Sequence, residues 1–468
     1  MGSLSASAGR RPKVLFISRT IAHFSYYDSI LAALLARGAE VEIDFDTGWS
    51  KKWRQTDMTA VKEFKAEHPK LKTGWSVRRA DAGRDRIFGL RELRSYRSYL
   101  TRAQTTPYYV GRWREYLTEP WKSRCESPLF RALLASPIAD GLLQAAEAAT
   151  PPDAGILEFI RARAPDVMLA SPANLRFSEE TDYLKAARKL GIPTAVPVLS
   201  WDNLSTKGLL QVLPDRLFVW NEHHLKDAVE IHGVPRDRID LAGSPFFDKW
   251  FAPTKDLPDR GAFCRGLGLD PERTILLYLG SSRRIAEDET WFVEKLRRFL
   301  GASKNERLRG CQLLVRPHPA NARIYQKLSG EGVCVFPKDG ELPETREGFA
   351  HMRASFHHAS AAIGINTSGM IDAVLAGLPT FSVRLPRYAQ TQAGAVHFRY
   401  LEEDDALYLS NDVTGFCENL IRLLGGEDPK AEGRLAFARK FARPRGLDRP
   451  AGDVIAEGVL AMAARKRA

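Results

Sequence analysis

The stretch Ala361–Val383, AAIGINTSGMIDAVLAGLPTFSV, decides the predicted fold of this chain. Small apolar residues up to Ile365 are typical of a buried parallel strand, and TFSV at 380–383 is a second one. Between them, Asn366–Gly369 predicts a tight turn that opens a helix, because Asn, Thr and Ser are preferred at helix N-caps. A helix that begins there directs unpaired N–H groups beyond the sheet edge, which suits an anion.

Similar apolar runs recur on both sides of this stretch, with helix-like segments between them. The runs are 13–18, 41–45, 166–172, 194–200, 216–220 and 238–243 in the first half, and 274–280, 311–315 and 333–337 in the second. Alternation of this kind predicts parallel sheets with right-handed crossovers. We therefore expect an α/β protein with two Rossmann-like parallel-sheet domains facing a central cleft.

The predicted domains follow from this alternation. An N-terminal Rossmann-like acceptor domain takes residues 1–250, a C-terminal nucleotide-donor domain takes 251–440, and a helical tail takes 441–468. The segment at about 48–137 interrupts the first domain and is rich in Arg, Lys, Trp and Tyr at helical spacing. Either its aromatic residues pack on the sheet while its charges face water, or it forms an electropositive surface for an anionic membrane or a lipid-linked acceptor.

The composition narrows the classes of function. The chain has 468 residues, 44% hydrophobic, with a formal net charge of +12 and five scattered cysteines without a CxxC pair. These features predict neither a disulfide framework nor a zinc site. No apolar run is long enough to span a bilayer, so we expect a cytoplasmic protein, peripheral on the inner face of the plasma membrane. No nucleic-acid-binding motif accompanies the basic charge, so we expect no nucleic-acid partner.

Three polar loops follow strands in the second half. Because carboxyl ends of parallel strands share one edge, we expect the loops to converge there and to offer hydroxyls, amides, arginines and a histidine to a pyrophosphate. The candidate nucleotide and phosphate ligands are Ser281, Ser282, Arg283, Arg316, His318, Asn366, Thr367, Ser368 and Gly369.

Other polar residues extend this candidate site. Asp372 lies in the first turn of the predicted helix, where it either complements the helix dipole or accepts hydrogen bonds from ribose hydroxyls. Gln390, Gln392 and His397 follow the last strand of the stretch, and amides and imidazole there suit sugar hydroxyls of the donor or acceptor.

The first half supplies two candidates for a general base. His23 comes five residues after the first strand, and Asp28 or another carboxylate could orient it. Asp202 in the loop SWDNLSTKG competes for the same role, and Asn203 or Lys207 beside it could hold acceptor or phosphate.

SWDNLSTKG, LYLGSS, RPHP and GINTSG together resemble bacterial proteins of the CDP-glycerol glycerophosphotransferase-like group, within the GT-B superfamily. The pair His318-Pro319 with Thr367-Ser368 is also similar to GT-B bacterial sialyltransferases, and Ser368-Gly369 is similar to the turn of UDP-GlcNAc 2-epimerases. The acidic-acidic-Gly motif of the sialyltransferases is missing, and Asp372-Ala373 stands where the epimerases carry two acidic residues.

The resemblance implies a glycosyltransferase with no cofactor. We expect it to be metal-independent, because no cluster of His and Asp residues indicates a metal requirement, and inverting, because His23 or Asp202 would activate the acceptor for in-line displacement. Its donor would be a UDP-, GDP-, CDP-, TDP- or CMP-linked sugar, and its acceptor a cell-surface polysaccharide or glycolipid, saccharide or lipid-linked. The alternatives are a phosphopolyol transferase, a sugar-nucleotide epimerase and a nucleotide-sugar-binding protein without turnover.

Overall fold

The computed structural model describes residues 10–52, 56–103, 105–254, 257–328, 330–340, 343–403 and 405–467. The chain divides into two compact units, one formed by residues 1–246 and 443–468 and the other by 247–442. Each unit is built around one parallel sheet, which confirms the predicted α/β class.

The first unit has seven parallel strands among its described residues, in the order β3-β2-β1-β4-β5-β6-β7. Their bounds are β1 Lys13–Ser18, β2 Glu40–Phe45, β3 Lys72–Trp75, β4 Val167–Ser171, β5 Thr194–Pro197, β6 Arg216–Val219 and β7 Ile239–Leu241. The helices are α1 Asp28–Ala36, α2 Thr47–Lys52, α3 Thr59–Glu67, α4 Arg84–Thr101, α5 Pro107–Tyr116, α6 Trp121–Arg124, α7 Pro128–Leu134, α8 Pro137–Ala149, α9 Ala154–Arg163, α10 Glu180–Lys189, α11 Asn203–Thr206 and α12 Glu222–Glu230.

The second unit has six parallel strands in the part of it that the structure describes, in the order β10-β9-β8-β11-β12-β13. They are β8 Thr274–Leu279, β9 Cys311–Arg316, β10 Val333–Val335, β11 Ala361–Gly364, β12 Thr380–Val383 and β13 Leu407–Ser410. Its helices are α13 Arg260–Leu267, α14 Thr290–Ala302, α15 Glu306–Arg309, α16 Ala322–Tyr325, α17 Arg346–His358, α18 Gly369–Leu375, α19 Arg399–Glu403, α20 Val413–Leu424 and α21 Ala431–Phe437.

The basic and aromatic segment differs from the first prediction made for it, in which its aromatic residues pack on the sheet and its charges face water. Its first part contains β3, a short and largely exposed edge strand that pairs with β2. Helices α4 to α8 build a core of their own, in which Tyr96, Tyr99 and Trp113 are buried together. Not all charges face water: the guanidinium of Arg91 is buried and donates to Asp182 on α10 at 2.7 Å. The aromatic residues thus pack on each other because the helices stack into a separate layer.

The C-terminal residues form α22, Ala451–Arg467, which belongs with the first unit rather than standing as a separate tail. Ile455 and Val459 are buried in the same core as Leu34 of α1. Gly458 lies so close to β6 that a Cβ atom there would come within 2.7 Å of the Phe218 ring. The core of the first unit is therefore completed by residues that follow the second unit in the chain.

All five cysteines are free thiols. Among the described residues, no helix has both the length and the apolar character needed to cross a membrane.

The close approach of α22 to β6 predicts that Gly458→Ala destabilises the protein by about 1–3 kcal/mol, because the added methyl overpacks a rigid contact. Urea unfolding followed by circular dichroism measures this. The control is Gly111→Ala, at a helical position of α5 where a Cβ meets no atom within 4 Å. It should raise stability by up to about 1 kcal/mol. Equal stability of the two variants would contradict the packing of α22 on the first sheet.

Candidate functional site

The strand order places β8 between β9 and β11 at the centre of the second sheet. Leu279, at the carboxyl end of β8, pairs with Arg316 of β9 on one side and with Gly364 of β11 on the other. The loops that leave these three strands therefore lie side by side at one edge of the sheet. This is the arrangement expected from the sequence.

Gly280 allows the first two of these loops to touch. Its amide donates to the carbonyl of Arg316 at 2.9 Å. A Cβ atom at position 280 would lie 2.8 Å from the Tyr325 hydroxyl oxygen and 3.1 Å from the amide nitrogen of His318. Only glycine fits there without displacing the RPHP loop.

A buried carboxylate that the sequence analysis missed supports the β8 loop. Glu289 accepts a hydrogen bond from the amide of Ser281 and others from the hydroxyls of Tyr278, at 3.1 Å, and Tyr325. Burial raises the pKa of Glu289, and these donors offset part of that rise. The hydroxyl of Ser281 is itself buried, with no hydrogen-bond partner among the described residues. Ser282 is half-buried.

The arginines beside this loop point in different directions. Arg283 is exposed, and its guanidinium lies 3.5 Å from the carboxylate of Glu287, four residues later in the same loop. Arg316 is buried and donates to the Ser355 hydroxyl at 3.1 Å, so one face of its guanidinium braces α17. Arg283 is therefore the freer of the two to reach a bound anion.

His318 is held as a neutral donor. Its Nδ1 accepts a hydrogen bond from the amide of Ala320 at 3.1 Å, so in the neutral ring the proton is on Nε2. Burial lowers the pKa of His318. The ring can thus offer an N–H to a phosphate oxygen.

The third loop carries unused backbone donors. The amides of Thr367, Ser368 and Gly369 have no hydrogen-bond partner in the described parts of the chain. Thr367 is half-buried and Ser368 is exposed. Asn366 is buried, and its Nδ2 donates to the carbonyl of Thr391 at 2.7 Å, which ties the turn to the following loop.

Two of the residues predicted to bind sugar are structural. Gln392 is buried, with its Nε2 at 3.0 Å from both the carbonyl of Ile365 and the Ser382 hydroxyl, so it braces the turn from beneath. His397 is buried in the short turn Val396–Phe398. Gln390 is exposed and keeps its amide available. The buried pair could not be recognised from sequence, because loop residues differ in exposure only after folding.

Asp372 lies in the first turn of α18, as expected, but its buried carboxyl group is not open to ribose hydroxyls. Its Oδ1 accepts a hydrogen bond from the indole of Trp250 at 2.6 Å, and the side chain is buried. Burial raises the pKa of Asp372 to about 7, and the nearby charge of Lys249 only partly opposes this. The carboxyl group joins α18 to the segment Pro245–Phe251.

His23 lies at the carboxyl edge of the first sheet, in the turn Ile21–Tyr26 that follows β1. Burial and the charge of Arg19 lower the pKa of His23 to about 3, so the ring is neutral at physiological pH. Its Nδ1 is buried without a hydrogen-bond partner among the described residues. Asp28, the expected orienting group, instead accepts a hydrogen bond from the amide of Ser29 at the start of α1.

Asp202 is engaged within its own loop. Its Oδ2 pairs with Lys207 at 2.7 Å, and its Oδ1 accepts from the Ser200 hydroxyl at 2.8 Å. Asn203 is buried, with its side chain bonded to the amide of Ser200 and to Asn174. These three predicted ligands therefore hold the loop together, since each already contacts the chain.

A cavity of about 780 Å³ lies in the first unit and is a separate feature from the turn that carries His23. Trp49, after β2, and Phe177, after β4, line it, so it opens at the carboxyl edge of the sheet. The remaining lining includes Phe88, Trp121, Lys52, Arg78, Arg84 and Arg86. Arg19 connects the two features, because its guanidinium stacks on Trp49 at 4.2 Å. The aromatic and basic composition was visible in the sequence, but the cavity was not.

Within the described residues, no group of three or more His, Cys, Asp or Glu side chains is placed to hold a metal ion.

No family model matches this chain, and no curated protein matches it. Solved structures do. The chain is similar to UDP-GlcNAc 2-epimerase from Methanocaldococcus jannaschii, with a TM-score of 0.54 and 13% identity over 96% of this chain and 99% of that chain. It is similar to UDP-GlcNAc 2-epimerase from Neisseria meningitidis bound to UDP-GlcNAc, with a TM-score of 0.53 and 12% identity over 96% and 100%. For S. aureus MnaA with UDP, the TM-score is 0.52 and the identity 11%, over 95% of each chain.

At these identities the likeness concerns the fold alone. It covers nearly the whole chain and both sheets, and it confirms the GT-B fold predicted from the sequence.

The buried carboxyl of Asp372 predicts a pH-dependent gain for Asp372→Asn. With a folded pKa near 7 and an unfolded one near 3.8, the wild-type carboxyl loses stabilisation as pH rises between these values, whereas Asn does not titrate. The stability of the variant relative to wild type should rise by up to about 1.4 kcal/mol per pH unit in that window. Urea unfolding at pH 5 and pH 7 measures it, with the exposed Asp339→Asn as a control that shows no such trend. A pH-independent difference for Asp372→Asn would contradict the burial of its charge.

Proposed function

We propose that this GT-B chain is a metal-independent, inverting glycosyltransferase. It would move a sugar from a nucleotide-activated donor to a saccharide or lipid-linked acceptor in the assembly of a cell-surface polysaccharide or glycolipid. The second unit would bind the donor and the first unit the acceptor.

The convergence of three strand tips in the second unit carries this proposal. Its donors are fixed before any ligand arrives: the amides of Thr367 to Gly369 and the Nε2–H of His318. Preorganised donors of this kind stabilise the negative charge that develops on a departing nucleotide phosphate. Arg283, exposed at the same edge, adds a charge that can move onto the phosphate.

His23 fits the role of general base better than Asp202. The neutral ring has a free lone pair, whereas both oxygens of Asp202 already accept hydrogen bonds. The acceptor oxygen would attack the anomeric carbon as the bond to the phosphate oxygen breaks. The hydroxyl proton passes to His23, and the bonding electrons leave with the nucleotide.

The lining of the 780 Å³ cavity in the first unit favours an anionic acceptor. Trp121 in this lining would pack on a sugar ring, and Arg84 and Arg86 offer charge to a phosphate or carboxylate. A bound anion would also oppose the effect of Arg19 and raise the pKa of His23 towards a useful range for a base.

A sugar-nucleotide epimerase is the second candidate, and the likeness of the fold to UDP-GlcNAc 2-epimerases favours it. Epimerisation needs no acceptor. Isomerisation of UDP-GlcNAc incubated alone with the protein would select this candidate over transfer. A phosphopolyol transferase shares the nucleotide site and differs in the donor it consumes.

The proposed donor site, formed by the three loops that follow β8, β9 and β11, predicts that at least one of CDP, UDP, GDP, TDP and CMP raises Tm. A ligand at about a hundredfold excess over its Kd stabilises by about 2.7 kcal/mol, which is several degrees for a domain of this size. His318→Ala should weaken that nucleotide about 10–100-fold, because a hydrogen bond to a charged group is lost. Ser368→Ala should weaken it less.

The control is His357→Ala, an exposed histidine before β11 at the opposite edge of the sheet, which should bind as wild type does. If none of the five nucleotides raises Tm, the assignment of these loops as a nucleotide-donor site is wrong.

The assignment of the base predicts that His23→Ala lowers sugar transfer by about 10²–10⁴-fold while the nucleotide-induced rise in Tm is retained. The rate is measured as the release of nucleotide from a sugar-linked form of the nucleotide that raises Tm, in the presence of an extract of lipid-linked acceptors. The comparison variant is Asp202→Asn, which keeps one of the two acceptor oxygens of the side chain and should retain most of the activity. The reverse ranking of the two variants would make Asp202 the base.

A further inference from the structure

The outer face of the hairpin formed by α7 and α8 is apolar where a solvent-facing helix normally carries charge. Leu129 and Leu133 of α7 are 71% and 62% exposed, and Ile138 and Leu142 of α8 are 75% and 67% exposed. The spacing of four residues puts each pair on one side of its helix. The exposed residues around them are Pro128, Ala132, Pro137, Gly141, Gln144, Ala145, Ala148 and Ala149. We call this set the α7–α8 face.

The apolar residues of the α7–α8 face are not exposed because the hairpin lacks a packed side. The opposite side of the hairpin is already filled, since Leu134 is buried, and Phe130 and Leu143 pack on the same aromatic core. Ser127 and Ser136 cap the two helices by accepting hydrogen bonds from amides in their first turns. The helices are thus fixed in rotation with their leucines outward.

The charges around the face are basic on balance. Asp140 of α8 is paired with Arg94 at 3.0 Å, and Glu147 is buried against Arg91 at 2.8 Å, so neither carboxylate faces outward unpaired. Arg124 and Glu126 are exposed just before α7, and Arg131 within α7 is half-buried and acts on Tyr96 of the aromatic core.

A basic cavity of about 840 Å³ adjoins α8 at Gln144 and Ala148. Its cationic lining includes Arg94, Arg97, Arg102 and Arg188. The Nε and Nη2 atoms of Arg102 are buried with no hydrogen-bond partner in the described part of the chain. An anionic group of moderate size beside the apolar face would find donors there.

We propose that the α7–α8 face docks on an anionic lipid bilayer, with the leucines and Ile138 in the interfacial region and the arginines at the headgroups. Apolar side chains in a basic rim match such a surface in both polarity and charge. A second copy of the chain matches it less well, because a two-fold contact places the same arginines opposite each other. The inference stands apart from the proposed reaction, since vesicle binding needs no substrate.

Sedimentation of the full chain with vesicles tests it. We expect binding to vesicles of phosphatidylcholine mixed with phosphatidylglycerol, much weaker binding to phosphatidylcholine alone, and a decrease with added salt. The double variant Leu133→Glu/Leu142→Glu should lower the partition coefficient by at least about tenfold. Both positions are exposed in the free protein, so its circular dichroism spectrum and Tm should match wild type.

The matched control is Leu435→Glu, the same substitution at an exposed leucine of the second unit, which should bind as wild type does. Equal binding by the double variant and the control would overturn the proposal, as would sedimentation with neither vesicle. A wild-type dimer in light scattering that the double variant converts to monomer, without vesicle binding, would assign the face to self-association instead.

Discussion

The central position of β8 in the second sheet is the constraint on which the candidate donor site depends. Because β9 and β11 flank it in parallel register, three loops that are far apart in the chain leave the sheet at adjacent points. Gly280 then lets the first two loops come into contact, since any side chain there would meet Tyr325 and the backbone of His318. The remaining features of the site refine an arrangement that strand order has already made.

Desolvation gives this site neutral donors in place of some of the expected charges. Burial holds His318 neutral with its proton on Nε2, and it places Arg316 against α17. Fixed dipoles and N–H groups need little reorganisation when charge develops on a leaving group. Glu289 contributes indirectly, because it fixes the amide of Ser281 and two tyrosine hydroxyls in one buried cluster.

In the first unit, the cation whose charge acts on His23 is a buried arginine that already has partners in the protein. Arg19 is buried at the end of β1, where it lies 3.5 Å from Glu180 and stacks on Trp49. Burial, together with the charge of Arg19, lowers the pKa of His23 to about 3, so the ring is neutral at physiological pH. The helical layer of α4 to α8 encloses the 780 Å³ cavity on one side and carries the apolar α7–α8 face on another. The aromatic and basic residues of this helical layer therefore form both its core and the lining of the cavity.

The sequence by itself determined the α/β class, the two parallel sheets and the loops at their carboxyl edges. It could do so because buried strands and helix starts have local signatures, as Ala361–Val383 and Lys13–Ser18 illustrate. It missed β3 and β13, which are short strands at sheet edges, and it could not separate exposed Gln390 from buried Gln392. Only the tertiary structure decided which polar side chains are free, that Asp372 bonds Trp250, and that α22 returns to the first unit. The reason is physical: exposure, pairing and protonation depend on neighbours that are distant in the chain.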